Sequence, residues 1–177
     1  RSVVTHLLWG SFAQEQAQAS LRQALSAIRA SLGALAHVVI ADDQQLSLDR
    51  AATQIDVEVF LDLVASANPV DRNEALTHYK GDLLAGIPLK EDALEEWVRP
   101  IRERLLARAT ATLVNLLEEQ NDHEGYRRLA DQLLALDPLN EVAHRKLMRV
   151  YSAQGRTSEA VKQFIRCRDL LQQELGV

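Results

Sequence analysis

Cysteine is nearly missing from this 177-residue chain. The single one, Cys167, excludes an internal disulfide and is expected to be a small buried hydrophobe in a protein of the reducing cytoplasm. Proline and glycine are also scarce, at four and seven residues, and the glycines occur singly, so no phosphate-cradling glycine loop is present. Uncharged apolar runs are far too short to cross a bilayer, and no N-terminal stretch reads as a secretory signal. The five histidines (His6, His37, His78, His123 and His144) are scattered, with no pair at metal-ligand spacing beside a carboxylate. The one carboxylate cluster, Glu91, Asp92, Glu95 and Glu96, lies where a helix starts, and acidic residues simply favour that end of the dipole. Neither Ser26 nor Cys167 has an evident base. No catalytic activity, metal or cofactor is therefore expected.

The charge that is there has a pattern. The net charge is −5, which disfavours indiscriminate nucleic-acid binding by the molecule as a whole. Residues 1–35 carry Arg1, Arg22 and Arg29 against Glu15 alone, residues 50–98 hold four basic and ten acidic side chains, and residues 140–177 hold seven basic and four acidic.

Helical periodicity dominates the second half. Leu147, Val150 and Tyr151 share one face of a first helix, and Ala160, Val161, Phe164, Cys167, Leu170 and Leu171 share one face of a second. Gly155 falls between them as a left-handed cap, with Thr157 or Ser158 available to cap the second helix. The unit echoes 34 residues upstream. Leu113, Leu116 and Leu117 match the first helix, Asn121 matches Gly155, and Tyr126, Ala130, Leu133 and Leu136 match the second. That period is the spacing of tetratricopeptide helix pairs, which must stack on neighbours to bury their apolar faces. Before them, Ile55–Ala67 and Val70–Gly81 read as helices separated by Asn68-Pro69. A long helix from Ala93 to about Gln120 is expected to kink or break near Pro100.

The first fifty residues read differently. Val3, Val4, Leu7 and Leu8 make a short apolar helix, and Gly10–Gln18 reads as a connection. In residues 19–33 the stripe Leu21, Leu25, Ile28 and Leu32 turns inward, and Gly33 ends the helix. Arg22, Gln23, Ser26 and Arg29 lie off that stripe. Next, HVVIADDQQLSLD signals a β-hairpin turning at Asp42-Asp43. Helix, connection, polar-faced helix and hairpin are the order of a winged helix-turn-helix. A helix fits the major groove, arginine reaches guanine edges or phosphates, glutamine reads adenine, and a wing adds backbone contacts. A surface helix with two arginines for solubility has the same residues. Trp9 and Trp97 are expected to be core anchors.

The chain resembles the bacterial transcriptional activator domain of SARP-type regulators. The resemblance rests on LLWG (7–10), QASLRQALSAIRASLG (18–33), DVEVF (56–60), HYKGDLLAG (78–86) and EEWVRPIRERL (95–105). It continues through the run from Leu133 to Leu171 and QELGV (173–177). It implies a mainly α protein: a partial winged helix-turn-helix with a β-hairpin wing over residues 1–49, then a tetratricopeptide-like domain over 55–177. On that comparison the winged part lacks its N-terminal sheet and first helix. Arg22, Gln23, Ser26 and Arg29 would face promoter DNA, with residues 36–49 as the wing. The repeats would support homodimerisation or contact RNA polymerase. The alternative is an interaction scaffold of a larger signalling protein that does not touch DNA.

Overall fold

The computed structural model describes residues 1–176 and every side chain among them except that of Leu175. Val177, the end of the QELGV run, lies outside the described residues. The chain is mainly helical with one small antiparallel hairpin. It falls into two compact units, residues 1–59 with 81–104, and residues 60–80 with 105–177.

The first unit contains α1 (Ser2–Trp9), α2 (Gln14–Leu32), a 3-10 stretch over Gly33–Val38, and strands β1 (Val39–Ala41) and β2 (Leu46–Leu48). Its core is Leu21, Leu25, Val38 and Val39, with Val4, Trp9, Leu32, Ala41 and Leu46 packed against them. α2 starts earlier than its apolar stripe suggests, because Ala17 is buried and adds a turn ahead of Leu21. The connection is therefore only Gly10–Ala13. Ile28 lies on the arc that should turn inward yet is 47% exposed, since among the described residues the core reaches α2 only through Ala17, Leu21, Leu25 and Leu32. Gly33 closes α2 at φ 54°, donating its N–H to the Arg29 carbonyl, in a left-handed geometry that suits glycine.

Three more helices follow: α3 (Asp56–Val64), α4 (Pro69–His78) and α5 (Asp92–Glu119). α4 opens with Asn68 accepting from the Val70 N–H and Pro69 in the first helical position, where no donor is lost. α5 runs through Pro100 without a break. Proline removes the N–H that would bond the Glu96 carbonyl, but both residues are exposed, so water can serve the freed oxygen. Trp97 is half-exposed and no core anchor, whereas Trp9 packs on the first core.

The second unit holds the remaining helices, α6 (His123–Leu136), α7 (Glu141–Ala153) and α8 (Thr157–Leu175). Its core joins Leu113, Leu116 and Leu117 of α5 to Leu129, Ala130, Leu133 and Leu134 of α6 and to Ala143 and Leu147 of α7. The 34-residue register holds for the first helix of each pair, with Leu113, Leu116, Leu117, Leu147 and Val150 all buried. The turns differ. Gly155 is left-handed at φ 70°, but Asn121 is not. There Gln120 Oε1 accepts from the Asn121 and Asp122 N–H groups, and Asp122 caps α6 by accepting from Gly125. Side chains thus replace the left-handed residue. Neither Thr157 nor Ser158 caps α8, which starts instead beside an Arg156–Glu159 ion pair.

Candidate nucleic-acid interface

α2 presents its polar side along one face of the first unit. Arg22, Gln23 and Ser26 are exposed, and none has a hydrogen-bonding or ionic partner among the described residues. Arg29 is different. Its guanidinium is half-buried and donates from Nη2 to the Val39 carbonyl at 3.0 Å, joining α2 to the first hairpin strand.

The hairpin is held by its register and its turn. Val39, Ile40 and Ala41 pair with Leu48, Ser47 and Leu46. Asp42 Oδ1 accepts from the backbone N–H groups of Gln44 and Gln45, both at 2.7 Å, and the Asp42 N–H donates to the Gln45 carbonyl. These are the short side-chain-to-backbone bonds that favour aspartate at turns. Arg1 Nη1 donates to the Asp42 carbonyl at 2.6 Å and so reaches the tip from the position just before α1. Sequence alone gave no sign of this contact, which spans 41 positions.

Arg1, Arg22, Ser26 and Arg29 line one cleft of about 260 Å³, floored by Leu25 and Ala41. Gln23 is not part of it. It follows Arg22 by about 100° around the helix and turns away. A larger cleft of about 530 Å³ lies beside the first and shares Arg1 and Arg22, with Trp9, Gln18 and Asp43 on its walls. Three guanidinium groups around one small concavity make an anion-attracting surface in a chain that is acidic overall.

The Gln45 and Gln44 amides hold the Asp42 carboxyl below its ordinary value of 3.8. A depressed carboxyl stabilises the fold above its unfolded value and loses that contribution as pH falls through the folded one. The Gln44 and Gln45 amide signals should therefore move toward unstructured positions as pH falls below about 3.8, while those of α7 stay fixed. Asp42→Asn, which keeps an acceptor oxygen, should abolish that transition. A transition unchanged in the variant would assign it to another group.

In the second unit, His144 is buried between α7 and α8. Gln163 Nε2 donates to His144 Nδ1 at 2.6 Å, which places the ring proton on Nε2, where it donates to the Pro138 carbonyl at 3.0 Å. Among the described residues no group of three or more His, Cys, Asp or Glu side chains is placed to hold a metal. No helix there is long and apolar enough to cross a membrane.

The family model for the bacterial transcriptional activator domain matches residues 55–177. This chain belongs to that family. No curated protein matches it. The bacterial transcriptional activator domain thus accounts for α3 to α8, and its family is one of transcription-regulator domains rather than enzymes. Residues 1–54, with Arg22, Gln23, Ser26, Arg29 and the hairpin, lie outside the matched range.

Within the activator domain α8 is only half covered. Ala160 and Gln163 are buried and Cys167, Leu170 and Leu171 are half-buried, but Val161, Phe164 and Ile165 are exposed at 51%, 54% and 40%. The inward positions expected from periodicity are thus corrected for Val161 and Phe164. Ala130 is buried because α7 lies over α6, whereas Phe164, one period later, has no following helix over it among the described residues. Partial burial also raises the Cys167 thiol above its usual value.

Proposed function

We propose that the chain acts in transcriptional regulation, with residues 1–49 as a winged helix-turn-helix module and residues 55–177 as its activator domain. In this reading α2 enters a major groove and the β1–β2 hairpin lies on the adjoining backbone. The helical pairs then make protein contacts, with a second copy of the chain or with RNA polymerase. The observation that carries it is the unpartnered Arg22, Gln23 and Ser26 on the outer side of α2, beside a hairpin, in a chain that holds a transcriptional activator-type domain.

The test is duplex binding across a NaCl series, using a sequence recovered by in vitro selection with the full chain. Arg22→Ala should weaken binding by about 1–3 kcal/mol. If Arg22→Ala, Gln23→Ala and Arg29→Ala all bind as the parent does, the DNA role of α2 is wrong.

One observation favours a second reading, an interaction scaffold that leaves DNA alone. It is the exposed Val161, Phe164 and Ile165 on α8, an apolar stripe of the kind that marks protein contacts. A chain that binds no selected duplex at 50 mM salt, but whose solution mass falls to that of a monomer on Phe164→Asp, would decide for the scaffold.

A further inference from the structure

We infer that the two α2 arginines divide the work: Arg22, with the Ser26 hydroxyl, takes a backbone phosphate of the duplex, and Arg29 is a positioning residue that sets the hairpin against α2. This inference rests on the DNA reading above and deepens it.

The two side chains line the same cleft but are committed differently. Arg29 donates to the Val39 carbonyl, and Val39 is a buried core residue at the first rung of the hairpin, opposite Leu48. In an antiparallel ladder hydrogen-bonded pairs alternate with pairs that exchange no bonds, so the outward carbonyls of a two-stranded hairpin need other donors. A guanidinium supplies one without a third strand. Arg29 therefore ties the last turns of α2 to the start of the wing, and its position is fixed before any ligand arrives.

Arg22 sits two turns earlier on α2 with all five donors unused, and Ser26 follows one turn later with a free hydroxyl. A phosphate in the cleft between them would meet a planar fork suited to two oxygens and a hydroxyl suited to a third. Arg1 closes the far wall but already donates to the Asp42 carbonyl, and Asp43 stands on the neighbouring cleft. The local balance is three guanidinium groups against one carboxylate, which still favours an anion.

Two measurements on the full chain test the division. The first is the salt slope of duplex binding. Arg22→Ala should lower affinity about tenfold and reduce the slope by about one, as expected on losing a phosphate contact. Arg29→Ala should lower affinity while leaving the slope as it was, and Arg29→Lys, which keeps a donor, should restore part of the loss. An Arg29→Ala slope that falls as far as that of Arg22→Ala overturns the positioning role. The second is titration with inorganic phosphate, read on the side-chain Nε–H signals of the arginines. The Arg22 signal should move and the Arg29 signal should stay. Movement of Arg29 alone, or of neither, overturns the proposal. If the parent chain binds no duplex at low salt, the DNA reading fails by itself, and the phosphate titration then decides the cleft.

Discussion

Phe60→Ala should cost about 4 kcal/mol of stability, within the range of about 3–5 kcal/mol for deleting a buried phenylalanine. Phe60 is 2% exposed and is among the largest fully enclosed side chains of the chain. Its ring lies 5.7 Å from that of Tyr79 at an interplanar angle of 38°, a tilted pair that contributes beyond its buried area. The tyrosine stands just past the end of α4, so losing the phenyl ring also removes one contact between the α4 terminus and α3. Urea unfolding followed by helical circular dichroism measures the loss. Phe60→Leu should recover more than half of it, because volume and not aromaticity supplies most of the effect. A loss below about 1 kcal/mol for the alanine variant would mean that the site collapses to fill the space.

His144→Ala should cost about 3 kcal/mol, by another route. The imidazole is 1% exposed and bonds at both nitrogens. Removing it leaves a cavity and strands the buried Gln163 amide away from water, at roughly 1–3 kcal/mol for an unsatisfied buried group. Gln163→Leu removes the donor and leaves Nδ1 bare, so it should also destabilise, by about 2 kcal/mol. The double variant should lose less than the two single losses added together, since each single change already breaks the same bond. Additive losses would show that the His144–Gln163 bond contributes nothing to holding α7 to α8.

Legibility in the sequence followed how local each cause was. The helix pairs of the activator domain were readable because Leu113, Leu116, Leu117, Leu147 and Val150 repeat at fixed spacing and all are buried. The hairpin was readable because Asp42 makes its own turn. What escaped were effects decided by neighbours distant in sequence. Periodicity places Ile28 and Phe164 on apolar faces, but only a packing partner decides whether a face is covered. Asn121 tolerates a left-handed turn, yet Gln120 and Asp122 supply enough acceptors to make one unnecessary. Pro100 argues for a break only if its lost bond would be buried, and it is exposed. At the candidate interface, the residue types on α2 were readable. The bond from Arg29 to the Val39 carbonyl was not, because it depends on how the hairpin folds back.

The uneven coverage of α8 gives the helical stack a polarity. A helix laid along Val161, Phe164 and Ile165 would cover three apolar side chains that are exposed on α8. Among the described residues this edge of the helical stack is thus left apolar. Exchanging those three side chains for glutamate, lysine and glutamine would turn the same helix into a terminal cap and close that edge.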